Sequence, residues 1–390
     1  MSVRARFPQT ESMLYVDNAG CGLLSTSVQS ALQEAVTTMA GGSAGLHGLM
    51  GRLAPLKAKL AQLIGATPAE IALQRSTSQG LNTVAAGVHW RPGDNVVTAG
   101  IEFPSNVFPW LNLEGRYGVK TKLVPAREGR VLAEDLIAAC DERTRVLTVS
   151  WVQFTNGYRT DLAQLGEFCR ARGILFCVDG VQGVGALQID VERCQIDALA
   201  CGAQKWMLGP LGIGFLYVRK AVQAELWTVE VGPGSVRRGD GGFSPAGGRP
   251  PDGSVQMDPA SFLDYNLTFH ESAARYESGL PNLLGVCGLD ASVSLFLEVG
   301  PAAVEAQVLA LTDQLAEGLV GRGYSLLSPR GAGERSGIIT FVSERMASSE
   351  IHQRLTAAGV VCSLREGAVR LAPHFYNEAA EMEQILAALP

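Results

Sequence analysis

Little in this 390-residue chain would hold a polyanion, a metal or a bilayer. Its 32 lysines and arginines are outnumbered by 38 acidic residues, the net charge is −6, and no basic block breaks the balance. That argues against nucleic acid and against an anionic membrane surface as partners. Only five histidines occur, none paired at ligand spacing. The eight cysteines (Cys21, Cys140, Cys169, Cys177, Cys194, Cys201, Cys287 and Cys362) are scattered without a Cys-x-x-Cys. They read as small buried hydrophobes in a reducing cytoplasm, with no metal centre and no disulfide framework. No apolar stretch reaches the ~18 residues that a membrane span needs. The opening MSVRARFPQTESMLYVD lacks the apolar core of a signal peptide.

What is present is apolar mass and glycine. An apolar content of 47% over this length suits a large core and two or more folding units. The 45 glycines cluster at the ends of apolar runs, as in an α/β protein with tight turns at strand tips. The stretch 174–220 shows the pattern best. Runs at 174–178, 197–201 and 213–218, bounded by Gly and Pro, read as buried strands. Asp179 closes the first and Lys205 follows the second. An acid and a lysine so placed suit pyridoxal phosphate, the amine forming a Schiff base and the carboxylate keeping the pyridine nitrogen protonated. The same two residues would also serve as a helix cap and a solvated loop lysine.

DGVQGVG followed by CGAQKWMLGPLGIGFLYV resembles the D-x-x-Q and lysine-G-P-x-G-x-G-x-L-Y-V segments of the class V aminotransferase family. That family includes cysteine desulfurases, kynureninases and isopenicillin N epimerase. The resemblance implies an α/β fold of the fold type I pyridoxal phosphate class, a large domain with a mostly parallel sheet flanked by helices and a smaller α+β carboxyl-terminal domain. The division expected is an amino-terminal segment (1–24) packed with the small domain, a large cofactor-binding domain (25–265), and a connecting helix with the small domain (266–390). By match Asp179 takes the ring nitrogen, Gln182 the phenolic oxygen, and Lys205 the aldehyde. The usual Ser-x-His-Lys turn is Gly202-Ala203-Gln204-Lys205 here. Gln204 can still donate to a phosphate oxygen, whereas Gly202 has no hydroxyl.

Other segments fall in the family's order. IALQRSTSQGLN runs from a strand into a helix start at Ser76-Thr77-Ser78-Gln79. Free amide groups and hydroxyls there bind a phosphate, and the same residues satisfy an ordinary helix cap. The resemblance to the family's T-T-E-G-x-N turn gives Thr77, Ser78 and the Gln79 amide to the phosphate. In IEFPSN, Phe103 stands where desulfurases place the ring-stacking histidine of E-H-H-x-N. An aromatic face can stack but cannot shuttle protons, and a core position is its other reading. Ser105 or Asn106 can cap the helix that follows. Past a strand at 146–150, Gln153 and Asn156 are both candidates for an amide near the phenolic oxygen. In YVDNAGCGLLS, Asn18, Ala19 and on to Cys21 fall on the family segment that reaches the substrate side, and Ser25 caps the next helix. Residues 41–52 read as a flexible loop carrying a solvated His47.

The stretch 231–259, rich in Gly, Pro and Arg, reads as a long active-site or dimer-interface loop. At 275–285 the family threonine that contacts the neighbouring subunit's phosphate is Leu280, with Asn282 a weaker substitute. From 302 a small terminal domain is expected. Its VCSLREGAVRLAPHFYN matches the family's terminal signature, so Arg370 would grip the substrate carboxylate with Arg365 behind it. Desulfurases insert a cysteine-bearing loop between these arginines. Here only Glu366-Gly367-Ala368-Val369 intervene, and Cys362 reads as a buried strand thiol. The expectation is a homodimeric enzyme acting on an amino acid, most readily a C–S lyase working by β-elimination. The alternative is an aminotransferase or an isopenicillin N epimerase-like isomerase on the same scaffold.

Overall fold

The computed structural model describes residues 3–237, 265 and 267–390, so most of the expected 231–259 loop lies outside the described residues. The chain opens with β1 (Leu14–Tyr15) and three helices, α1 (Thr26–Met39), α2 (Ser43–Met50) and α3 (Leu53–Ile64). Then come β2 (Ile71–Gln74), α4 (Thr77–Gly87), β3 (Asn95–Ala99), α5 (Phe108–Tyr117), β4 (Lys120–Val124), α6 (Ala133–Ala139), β5 (Thr144–Ser150) and α7 (Leu162–Arg172). Three strands follow, β6 (Leu175–Asp179), β7 (Ala198–Gly202) and β8 (Gly214–Val218). The remainder holds α8 (Leu283–Val299), α9 (Pro301–Gly321), β9 (Ser325–Leu326), β10 (Ile339–Val342), α10 (Ser348–Ala357), β11 (Val360–Val361), β12 (Ser363–Arg365), β13 (Ala368–Leu371) and α11 (Ala379–Ala387).

Seven strands form one sheet in the order β2-β8-β7-β6-β5-β3-β4, in which only β8 runs against the rest. Both faces are covered, which is why these strands read as continuous apolar runs rather than alternating ones. Along β7, Ala198 and Ala200 pack into one core with Leu81, Val84 and Trp110, while Leu199 and Cys201 pack into the other with Val286, Leu289 and Phe296. The period of two thus sends successive residues to α4 and α5 on one side and to α8 on the other. A fully buried side chain of this size contributes about 1.5–3 kcal/mol.

A second, antiparallel sheet has the order β12-β13-β10-β9 and its own core around Leu311, Phe341, Ile351 and Val369. β1 pairs in parallel with β11, and Asp17 bridges to Ala372. The amino-terminal segment is therefore stitched to residues more than 300 positions away. β12 and β13 meet at a two-residue turn, with Arg365 opposite Ala368 and positive φ at Glu366 (45°) and Gly367 (77°). That is the twist-compatible hairpin turn. Among the described residues no single helix is long and apolar enough to cross a membrane.

One expectation fails here. Residues 41–52 are not a flexible loop, because α2 occupies most of them. The glycines serve packing instead. A Cβ on Gly45 would stand 1.9 Å from the Thr38 carbonyl, and Gly42 (φ 62°) makes the corner out of α1. Burial of Gly45 and Leu49 overrides the low helix propensity. His47 is exposed on the last turn of α2.

Candidate active site

The register of the large sheet aligns Ser150, Asp179 and Ala200. The residues just past β5, β6 and β7 therefore gather at the carboxyl edge, where open α/β sheets bind ligands. Asp179 is 2% exposed, and the Val181 N–H donates to its Oδ1 at 3.0 Å. Burial chiefly, then the charge of Glu102, push its carboxyl up to about 7, with the Val181 N–H and Lys205 opposing. A carboxyl in that state calls for a cationic partner.

Lys205 follows β7 in a tight turn. Burial draws its ammonium down; Asp179 resists, while Arg370 and Arg365 add to the lowering. Among the described residues its Nζ has no hydrogen-bond or ion-pair partner, and it stands 5.4 Å from the centroid of Phe103. Phe103 is 40% exposed and packs edge-on against Phe154 at 5.1 Å, so it is not a core residue. The turn is clamped from several sides. Gly22 donates its N–H to the Gln204 carbonyl at 2.8 Å, and a Cβ on Gly22 would meet the Lys205 carbonyl at 2.2 Å. Trp206 Nε1 donates to Gln182 Oε1 at 2.7 Å, and His374 Nε2 lies 2.8 Å from the Trp206 carbonyl. Burial holds His374 neutral, down to about 3. Its Nδ1 accepts the Phe375 N–H, so the ring proton sits on Nε2 and is given to Trp206.

At the start of α4, Ser76 is the cap, accepting the Gln79 N–H at 3.2 Å. Thr77 Oγ1 accepts the Gly202 N–H at 2.9 Å, and Ser78 Oγ shares a hydrogen bond with Ser105 Oγ at 2.8 Å. The Gln79 side chain is engaged elsewhere: its oxygen accepts the Arg75 N–H and its amide donates to Glu230 at 3.0 Å. Gly202 leaves room for the end of the Gln204 side chain. A Cβ there would lie 2.6 Å from Gln204 Oε1 and 3.2 Å from Thr77 Oγ1.

On the opposite side Arg370, 1% exposed, donates to the Phe154 carbonyl (2.9 Å) and Ser363 Oγ (3.2 Å) and pairs with Asp17 at 3.4 Å. Burial and Arg365 lower its guanidinium to about 10 against the pull of Asp17. Arg365 is exposed at the hairpin. Asn18 is engaged at both ends, donating to the Ala372 carbonyl at 2.8 Å and accepting from the Tyr376 hydroxyl at 2.7 Å. Ala19 is buried, its carbonyl receiving Gln182 Nε2 at 3.0 Å. Cys21 is exposed; burial of its thiol and the charge of Asp17 push it up, with Lys205 opposing.

The two amides after β5 separate. Asn156 is engaged elsewhere, donating to the Gly129 carbonyl between β4 and α6 (2.6 Å) and accepting the Tyr158 N–H of its own loop. Gln153 donates to Glu102 at 2.8 Å. Asn106 caps no helix: its amide donates to Glu102 and its oxygen receives Thr148 Oγ1 and Trp110 Nε1. Glu102 is the residue that the sequence reading passed over. Its signal was its place as the acid that opens the E-H-H-x-N match, though burial of a charge leaves no mark on local sequence.

The family model described as Aminotransferase class-V matches residues 14–240 and 249–383, nearly the whole chain. The chain belongs to the class V aminotransferase family. Among relatives of this class V protein, a probable cysteine desulfurase of Pyrococcus abyssi is 28% identical over 99% of this chain and 96% of its own length. An uncharacterized aminotransferase of Bacillus subtilis is 27% identical over 84% and 80%. Two solved structures share the fold. The apo cysteine desulfurase of Thermococcus onnurineus NA1 has a TM-score of 0.84 at 24% identity, covering 99% of this chain and 96% of that one. The cystine C–S lyase C-DES in complex with its product cysteine persulfide has a TM-score of 0.85 at 20%, covering 98% of both.

Class V enzymes depend on pyridoxal phosphate, and the residues present fit that group. A buried carboxyl with a single backbone donor stands at a strand end, and an amine without a partner among the described residues faces an aromatic ring. Hydroxyls line the first turn of a helix beside them. Asp179, Lys205, Phe103, Thr77 and Ser78 would hold ring, aldehyde and phosphate. When bound, the cofactor supplies an aldehyde that takes up amino groups and a protonated ring that withdraws electrons from the carbon bearing them.

Proposed function

We propose that this class V enzyme cleaves a carbon–sulfur bond at Cβ of a cysteine-type amino acid by β-elimination, releasing pyruvate, ammonia and a sulfide or thiol. The observation that carries the reading is the two-residue turn at Glu366 and Gly367 between Arg365 and Arg370. It offers no loop to bring a cysteine thiol to the substrate. Cys362 is a poor nucleophile beside it, since burial and Asp17 push its thiol up to about 12. Arg370 Nη atoms bind the substrate carboxylate, with Asp17 holding the guanidinium in place. Asp179 holds a proton at the ring nitrogen. Lys205 Nζ, with its proton affinity lowered by burial, takes the proton from Cα and returns it to the departing group. Phe103 would offer an aromatic face to the ring, and it moves no proton.

The test is product analysis on cysteine and cystine. Pyruvate in step with sulfide from cysteine, or with cysteine persulfide from cystine, unchanged in Cys21→Ser and Cys362→Ser, supports elimination. Alanine instead of pyruvate, lost in Cys21→Ser, would mean a desulfurase with the thiol at position 21. Amino-group exchange with a keto acid, or deuterium gained at Cα without turnover, would mean the aminotransferase or isomerase chemistry. We also propose a homodimer in the cytoplasm. A cavity of about 540 Å³ lined by Arg75, Gln79, Gly212, Leu280 and Asn282 opens beside α4, where a second subunit would close it. The eight unpaired cysteines suit a reducing compartment.

A further inference from the structure

Glu102 lies just past β3 and is 8% exposed. Four donors converge on it: the Ser150 N–H (2.7 Å) and Gln153 Nε2 (2.8 Å) on Oε1, Ser150 Oγ (2.5 Å) and Asn106 Nδ2 (3.0 Å) on Oε2. Among the described residues no cation pairs with it. Two of these four, the Ser150 N–H and the Asn106 amide, cannot reverse roles. A backbone N–H only donates, and the Trp110 indole only donates, so the Asn106 oxygen faces Trp110 and its NH₂ faces Glu102. One fixed donor on each carboxyl oxygen, with no cation alongside, suits an anion. Two consequences follow. Gln153 turns its NH₂ to Glu102, leaving its buried Oε1 without a hydrogen-bond partner among the described residues. Ser150 is also the register partner of Asp179, so Glu102 stands behind the strand ends within reach of Asp179.

We propose that Glu102 is a positioning residue of the cofactor site, an anion that aims the Gln153 amide and sets a second negative charge behind Asp179. Lys205 is the cation facing Asp179, Arg370 and Arg365 act on Lys205 from the small sheet, and the thiols of Cys177 and Cys201 flank Asp179 on β6 and β7. Burial pushes Glu102 itself up on balance, and the four donors oppose that rise without cancelling it. With Glu102 charged, the proton shared by Asp179 and the ring nitrogen is held more tightly, and so is positive charge at Lys205. The inference rests on the reading that the site holds pyridoxal phosphate.

Its test is the visible absorption of the cofactor-loaded protein as a function of pH, with cofactor retention on gel filtration as a second readout. Glu102→Gln should lower the titration midpoint by about one pH unit, a tenfold change in proton affinity. Glu102→Asp, which keeps the charge, should stay within about 0.3 unit of wild type. In an Asp179→Asn background the Glu102→Gln effect should shrink to less than about half, because the two act on one proton. A midpoint unmoved in Glu102→Gln, or moved equally in both backgrounds, or moved as far by Glu102→Asp, overturns the proposal. Should Glu102→Gln not fold, Glu102→Ala takes its place: a midpoint lowered by about one unit beside an unmoved Glu102→Asp supports the charge role, and an unmoved midpoint in both refutes it. Wild type that takes up no cofactor would instead refute the cofactor reading.

Discussion

Replacing Asp179 by Asn should stabilise the cofactor-free protein above neutral pH and leave it unchanged in acid. A free aspartate titrates near 3.9, whereas burial first and Glu102 second push Asp179 up to about 7 in the folded chain. Below about pH 3 the carboxyl is protonated both folded and unfolded, and it imposes no penalty. As pH rises toward 7 the unfolded chain releases the proton while the folded chain keeps it, so stability falls; above about 7 the loss is complete. A gap of about three pH units at about 1.36 kcal/mol each bounds the loss at about 4 kcal/mol. Relaxation around the charge would bring it nearer 2 kcal/mol. Asn keeps the shape and can still accept the Val181 N–H. The assay is urea unfolding of apo wild type and Asp179→Asn at pH 4.5 and 8.5. About 1 kcal/mol of the penalty is already present at pH 4.5, so the advantage of the variant should grow by about 1–3 kcal/mol between the two, and saturating cofactor should reverse the order. Parallel curves at both pH values would refute the account of Asp179 as a buried acid awaiting a cationic partner.

Lys205→Ala should abolish the cofactor adduct trapped by borohydride, read by mass spectrometry, and reduce turnover by at least about 1000-fold. Arg370→Ala should leave that adduct intact and raise KM for amino acids roughly 100-fold; Arg370→Lys should recover little, because a point charge cannot replace the planar fork. Gly202→Ala should weaken cofactor binding about tenfold in an equilibrium titration, since the new methyl would displace Gln204 Oε1 from 2.6 Å. Unchanged affinity would show that Gln204 has no part in holding the phosphate.

The strands at 174–178, 197–201 and 213–218 were legible because both faces of the sheet are buried and the runs are apolar throughout. The helix start at Ser76 was legible because a cap is a local hydrogen bond. α2 was not, since its glycines look like loop residues until α1 is packed against them. The side-chain amides were the least legible. Gln79, Asn18, Asn156 and Asn106 all have partners that pattern alone assigned differently or left open.

Local order thus determined which residue types arrive at the strand ends, and Asp179 and Lys205 could be marked from neighbours a few positions away. Only the tertiary structure decided what each polar group faces. Thr77 meets Gly202 across 125 residues and Arg370 meets Asp17 across 353. Such pairings depend on how the sheet, α4 and the hairpin are brought together in space. A buried carboxyl like Glu102 takes one donor from its own stretch, Asn106, and the others from residues 150–153, so what it faces is decided only when β3 and β5 lie side by side.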